Sequence, residues 1–434
     1  VSTVAANAGR LLAASLRLIH FPELWRVALE RSKRLVKDPK VGGWSSRVDQ
    51  QALFAHLRRN IGISRPTFYR VRLRQRLSLA HRPRVLHVIP NMWIGGSTQL
   101  VVDLHDYLGH RFEMEVVTSA VPSRGRHEGM KISVVPFANS ETGARQHLAR
   151  FRPHLVHVHY WGDVDKPWYR PFFDAAAELG CPIVQNINTP VSPYAAESVK
   201  RNVFVSQTVL DRYGSAAHSE VIHPGIDLDL FAPHDESDSD AYDAIGMVYR
   251  LERDKLNENS IEPFIEVVKR RPQTRAIIVG DGSLFAHFRN RVRQEALLDR
   301  FEFSGFVPYN ELPAYFRRFK VFVVPVWQES FGQVVPFAMS MGLAVAGKLV
   351  GAIPEILGDT ATLGADTNEI VSRILDLLED RGRIDALGFR NSCIARQNFG
   401  VKRMAAAYCN VYKGVIPKEV ELMPEFPPAV LFPL

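Results

Sequence analysis

Three short stretches of this 434-residue sequence hold side chains of the right type and spacing for chemistry on an anion. The richest is Val321–Gly347, VFVVPVWQESFGQVVPFAMSMGLAVAG. A buried strand is expected to end at Pro325, followed by a loop carrying Glu329, Ser330, Phe331 and Gly332. A helix then opens near Gln333, with Pro336 in its first turn, where a missing N–H costs nothing, and Gly342 ends it. Free N–H groups around Phe331–Gln333 attract an anion, and Gly332 lets a phosphate approach the backbone. Glu329, just before that nest, can hold hydroxyl groups without meeting the phosphate. An acid between a buried strand and a helix start is costly to keep without a use. The second stretch runs from Gly246 to Lys255: Arg250 leaves a strand end and Lys255 follows five residues later. Two cations there would neutralise a departing diphosphate, although such a pair taken alone is an ordinary surface feature. The third is Val88–Ser97, with Gly95 and Gly96 ahead of a helix from Gln99. Tight turns need glycine in any case, and the spacing is not the GxGxxG of dinucleotide sites. Gly280, in Val279-Gly-Asp-Gly282, reads by default as a turn after a strand.

The elements that must carry these residues alternate. Strand-like runs are expected at Val85–Pro90, Glu113–Ser119, Ile132–Pro136, Leu155–Tyr160, Ile183–Ile187, Asn202–Ser206 and Glu220–His223, with helices such as Gln99–Leu108 and Tyr169–Leu179 between them. A polar acidic stretch, residues 232–243, reads as a linker. The alternation then restarts at Ile245–Arg250, Ala276–Gly280, Phe301–Val307, Val321–Trp327, Leu343–Lys348 and Ala361–Gly364. Helices are expected at Ile261–Arg270, Phe285–Glu295 and Asn310–Arg318. This order predicts an α/β protein of two doubly wound, Rossmann-like domains, 84–231 and 244–395, facing across a cleft. Residues 396–434 hold a last helix and a Pro-rich tail.

Taken together and in order, these residues resemble the retaining GT-B glycosyltransferases of family 4, also called group 1, over about 84–415. Gly95-Gly96 resembles the family's first glycine loop, and Leu155-Val-His-Val-His159 the strand whose last histidine lines the acceptor side. Val221–Asp227 with Phe231 resembles the segment leading into the linker, and Gly351-Ala-Ile-Pro-Glu355 the short motif after the next strand. Arg250 and Lys255 match the diphosphate-binding pair, and Asn398-Phe399 to Tyr408 resembles a terminal helix crossing back to the first domain. The resemblance implies Glu329, His159, Arg250 and Lys255 as catalytic. It implies Arg250, Lys255, Gly280, Glu329, Phe331, Gly332, Gln333 and position 337 on the donor side. It also implies a nucleotide-diphosphate sugar as donor substrate and no cofactor.

Three positions depart from the family pattern. Phe337 stands where a second glutamate, seven residues beyond the first, grips the ribose diol. A phenylalanine cannot accept those bonds, so Gln333 and Ser340, one turn either side, are expected to take them. Asn188 replaces a histidine common at the end of the fifth strand, and Pro224 replaces a usual asparagine. His157 should lie deeper than His159 on the same face and be structural, Phe331 should pack, and Glu355 is either a helix-start cap or a donor contact. Asp163-Val-Asp165 spells a metal-holding DxD but lies away from the phosphate elements and reads as a solvated turn. No metal is expected, because Arg250, Lys255 and the helix start would supply the charge a cation gives elsewhere.

Composition narrows the rest. With 46% hydrophobic and 23% charged residues the chain is globular, and three cysteines without zinc spacing suggest a reducing compartment. The net charge of +8 is uneven: residues 1–84 hold 18 Lys and Arg against 4 Asp and Glu, the remaining 350 hold 36 against 42. Residues 1–83 therefore read as a basic, amphipathic helical extension able to dock on an anionic membrane surface; the plainer alternative is helices packed on the body with a solvated basic face. Nucleic-acid binding is not expected, since no reader motif accompanies the charge. Arg10 and Arg17 interrupt the first apolar run, which argues against a signal peptide and for a cytoplasmic protein peripheral to the inner face of the cell membrane. No GxSxG, P-loop or HExxH is present. The expected function is transfer of a sugar to a lipid-linked or envelope-polysaccharide acceptor with retention of configuration. The alternatives are a sugar-nucleotide epimerase of similar fold and a non-catalytic relative acting in assembly.

Overall fold

The computed structural model describes residues 82–123, 127–215, 217–233 and 243–417. Nearly all of the basic extension, most of the acidic linker and the Pro-rich tail lie outside the described residues. Among those described, no helix is long and apolar enough to cross a membrane.

All thirteen expected strands form, and every pairing is parallel. In the first sheet they are β1 Arg84–Val88, β2 Glu113–Thr118, β3 Ile132–Val134, β4 Leu155–Tyr160, β5 Ile183–Ile187, β6 Val199–Phe204 and β7 Ser219–Val221, in the order 3-2-1-4-5-6-7. The second holds β8 Ala244–Val248, β9 Arg275–Val279, β10 Phe301–Gly305, β11 Val321–Val324, β12 Ala344–Lys348 and β13 Leu363–Gly364, in the order 10-9-8-11-12-13. Central strands such as AIGMV of β8 and VFVV of β11 are buried throughout, which is why they read as unbroken apolar runs rather than alternating ones.

The helices that cover the first sheet are α1 Gly96–Leu108, α2 Ser140–Phe151, α3 Lys166–Glu178 and α4 Gln207–Tyr213. The second sheet carries α5 Glu262–Arg270, α6 Phe285–Gln294, α7 Leu312–Phe316, α8 Val334–Ser340, α9 Ile353–Leu357, α10 Thr367–Glu379 and α11 Arg381–Asn398. The chain then turns at Phe399–Gly400 and α12, Val401–Val415, returns to the first domain. There Met404, Tyr408 and Tyr412 join one apolar cluster with Val85, Leu100, Leu155 and Val184. The two chain crossings are bonded together: Ile226 N–H donates to Phe399 O at 2.8 Å, and Val401 N–H to Ile226 O at 2.9 Å.

Both strand orders reverse direction once, between β1 and β4 and between β8 and β11. Loops leaving the carboxyl ends of strands on either side of such a reversal diverge and leave a crevice, the usual ligand position in parallel sheets. Gly95-Gly96 follow β1, Arg250 and Lys255 follow β8, and Glu329 follows β11. The topology therefore delivers the chemistry-bearing residues to the two crevices.

Candidate active site

In the second domain Lys255 and Glu329 form an ion pair, with the Glu329 side chain only 4% exposed. Ser330 N–H donates to the same Glu329 oxygen at 3.0 Å. The loop can wrap this carboxylate because of two glycines in the left-handed region, Gly332 at φ +86° and Gly351 at φ +56°. A methyl group at Gly351 would lie 1.9 Å from Glu329 O, and one at Gly332 would lie 2.9 Å from Glu329 Cγ. Arg250 is half exposed and bonded to Asp254 at 2.7 Å. Gly280 closes onto Gly305 and onto the Tyr249 carbonyl, beside Arg250. Tyr249 itself is buried with its hydroxyl unpartnered; burial, reinforced by the Glu329 charge, pushes that phenol well above its usual range.

The first domain meets this group directly. A methyl at Gly95 would sit 4.0 Å from Arg250 Nε, and one at Gly96 would sit 3.3 Å from Gln333 Oε1. Gln333 Nε2 donates to Gly225 O at 3.0 Å, so this side chain spans the two domains. Helix α1 starts at that point with no side-chain cap and no acidic residue in its first turn. An uncapped helix start thus lies beside a guanidinium, a combination of groups suited to an anion.

Several expected site residues lie elsewhere. Phe337 is not a donor contact: it is 4% exposed and stacked on Phe231 at 4.2 Å and 8°, with Tyr309 edge-on at 5.7 Å. Ser340 cannot replace the missing carboxylate, because its hydroxyl is buried and donates to Phe231 O at 2.6 Å. Phe331 packs, as expected, stacked on His223 at 5.4 Å and edge-on to Phe399 at 5.7 Å. His159 offers no surface to an acceptor: it is fully buried, and its Nε2 lies 3.1 Å from Nδ1 of His87, a partner the sequence reading missed. His157 is the structural residue expected, bonded through Nδ1 to Tyr412 OH at 2.7 Å.

These three histidines also bear on metal binding, since one nitrogen of each lies within 4.8 Å of the others. Three ligands of one ion bound at about 2.0–2.1 Å stand about 3.3 Å apart. Here His87 and His159 are stacked and 3.1 Å apart at a hydrogen-bonding distance, and His157 tilts against both and bonds to Tyr412 instead. Burial, aided by the His105 charge, holds His87 down to about 3, and burial with the neighbouring rings holds the other two well below the usual range. Asp163 and Asp165 form the solvated turn expected of them: Asp163 accepts from Tyr160 OH at 2.8 Å, and Val164 between them is exposed. Asn188 ends a chain from Tyr408 through Asn186, with its own Nδ2 unpartnered. Glu355 is a cap, but of a helix in the other domain.

Residues 243–380 match the family described as glycosyl transferases group 1. That segment of the chain is similar to the group 1 glycosyltransferases, and the fold is GT-B. It is 27% identical over 234 residues to a GDP-mannose-dependent alpha-(1-6)-phosphatidylinositol monomannoside mannosyltransferase of Mycolicibacterium smegmatis, a match covering 49% of this chain and 61% of that enzyme. It is 25% identical over 306 residues to D-inositol 3-phosphate glycosyltransferase 2 of Catenulispora acidiphila, covering 59% and 70%. Among solved structures, Anabaena HepE in complex with UDP and glucose superposes with a TM-score of 0.65 at 16% identity, over 76% of this chain and 99% of that one. The structural likeness speaks for the fold; the chain spans about three fifths of the mycobacterial enzyme's length.

Proposed function

We propose that this protein transfers a sugar from a nucleotide-diphosphate donor to a hydroxyl of a lipid-linked or envelope saccharide acceptor, with retention of configuration and without a divalent cation. The observation that carries the reading is the meeting of Arg250, Lys255 and Glu329 from one domain with the uncapped Gly95–Gly96 helix start of the other. The acceptor oxygen bonds to the anomeric carbon as the bond from that carbon to the diphosphate oxygen breaks on the same face. The acceptor proton passes to the departing diphosphate. Arg250, Lys255 and the N–H groups of α1 oppose the charge that develops there, which is the share of the work a metal ion does elsewhere. Glu329, held in place by Lys255, orients the sugar hydroxyls. Relatives named for phosphatidylinositol mannoside, inositol phosphate and lipopolysaccharide core substrates favour a polyol or saccharide acceptor carried by an amphiphile. The basic residues 1–83 suit the anionic surface on which such an acceptor would lie.

The test is release of nucleoside diphosphate from a panel of UDP-, GDP-, dTDP- and ADP-sugars, each with lipid-linked and free saccharide acceptors. Reactions run with and without EDTA, and the anomer is read by NMR. A retained anomer formed equally well in EDTA is expected. An inverted product or strict metal dependence contradicts the mechanism, and interconversion of the donor sugar without an acceptor favours an epimerase.

A further inference from the structure

Glu355 lies four residues beyond Gly351 on α9, yet its four hydrogen bonds all cross to the first domain. Gln207 N–H donates to Oε1 at 2.8 Å, and Thr208 donates to Oε2 through both N–H and hydroxyl at 2.9 Å. His223 Nε2 lies 2.9 Å from Oε1. Gln207 and Thr208 open α4, whose own cap is Ser206. The Ser206 hydroxyl accepts from Val209 N–H at 3.2 Å and donates to Ser330 O at 2.6 Å. A carboxylate of the second domain thus caps a helix of the first, and that helix's cap holds the carbonyl next to Glu329. His223 extends the contact, stacking on Phe331, which in turn meets Phe399 where the chain crosses between domains. The same loop is held from its other side, because Ala352 N–H donates to Glu329 O at 3.3 Å.

We infer that Glu355 is a positioning residue: it fixes the angle at which the second domain closes on the first and so sets Glu329 against the Gly95–Gly96 loop. This rests on the transfer reading above. The donors on α4 and His223 hold the carboxyl down to about 2, after their bonds outweigh the cost of partial burial, so the clasp stays charged at neutral pH. The diphosphate contacts assigned to Arg250 and Lys255 lie within the second domain and only the α1 helix start belongs to the first, so loosening the clasp should weaken nucleotide binding modestly and damage far more the step that needs both domains. Displacing one reacting group by about 1 Å costs on the order of a hundred-fold in rate.

The test uses the full chain with Glu355→Gln, which keeps the shape but faces donors with an amide, and His223→Phe, which keeps the ring stack but not the bond. Expected for Glu355→Gln are a nucleotide Kd raised by no more than about five-fold, a kcat for transfer lowered by a clearly larger factor, on the order of twenty-fold or more, and more donor hydrolysis per transfer as water enters. His223→Phe should fall between. Independently of activity, nitroxide labels at Val164→Cys and Phe389→Cys in a Cys393→Ser background report the distance between domains. The distribution should broaden in Glu355→Gln. A wild-type kcat with an unchanged distribution overturns the inference. Failure of the parent protein to bind any nucleotide would instead sink the transfer reading, and a distribution that still broadens would leave the clasp standing.

Discussion

Replacing Phe337 by glutamate restores the carboxylate that the family resemblance places there, and the structure predicts damage rather than a better donor site. The ring fills a box made by Phe231, Tyr309 and Phe316, stacked on the first at 4.2 Å and edge-on to the others at 5.7 and 6.5 Å. Emptying such a site costs about 3–5 kcal/mol, of which the glutamate stem restores about 1 kcal/mol. A buried carboxyl with no partner adds about 2 kcal/mol even when protonated. The sum is about 5 kcal/mol, against a typical total stability of about 5–15 kcal/mol. For a domain of this size that corresponds to a fall in Tm of roughly 10–20 °C. Phe337→Leu, which nearly conserves volume, should lose about 1.5 kcal/mol or less and leave nucleotide affinity unchanged. Differential scanning calorimetry and nucleotide titration on both variants check this. A Phe337→Glu protein that melts within about 3 °C of wild type and binds nucleotide more tightly would refute the packing argument and turn position 337 toward the ribose.

Other outcomes follow from the same geometry. Gly351→Ala places a methyl 1.9 Å from Glu329 O in a backbone region that costs L-residues about 1–2 kcal/mol, so the Glu329 loop must shift. Transfer should be nearly abolished while circular dichroism stays native, and an active variant would show that the loop tolerates the shift. Lys255→Met leaves the Glu329 carboxylate buried and unpaired, at about 3–5 kcal/mol, and adding Glu329→Gln should recover most of that loss. Equal Tm for the single and double variants would mean that the pair carries no such strain. In acid, two windows follow one another and overlap in part. His87 is held lower in the folded state than in the unfolded chain, so its neutral form contributes stability above about 6.5 that is lost as pH falls towards 3. Glu355 is likewise held lower, so its charged form contributes stability above about 4.5 that is lost as pH falls towards 2. His87→Phe should lessen the slope in the first window, to which the buried His157 and His159 also contribute, and Glu355→Gln should flatten the second in urea-unfolding series; unchanged pH profiles in both would contradict these assignments.

How much was legible in the sequence depended on how local the cause was. Runs such as Val321–Val324 and Ile183–Ile187 declare strands by themselves, because a parallel strand covered on both faces has no polar side to show. Arg250, Lys255 and Glu329 could be found because each lies in a loop leaving the carboxyl end of a strand, where topology alone makes the crevice. Phe337 was misjudged because its box is assembled from residues 231, 309 and 316; the clue was its own helix, where Val334, Val335, Phe337, Ala338 and Met341 already form an apolar face. His159 was misplaced because its partner, His87, comes from another strand 72 residues away. The Glu355 clasp joins groups 132 to 148 residues apart, and no spacing rule reaches that far. Asp254, four residues after Arg250, was within reach of such a rule and was missed.

The central claim is that a nucleotide diphosphate binds between Arg250 and the Gly95–Gly96 helix start. Calorimetric titration of UDP, GDP, dTDP and ADP against wild type and Arg250→Ala tests it most directly. Arg250 is 49% exposed and pairs with the equally exposed Asp254, so its removal strands no buried charge. One nucleotide should bind the wild-type protein, and the variant should bind it at least about ten-fold more weakly at an unchanged Tm. Equal affinity in the variant, or a folded wild type that binds none of the four, would contradict the account.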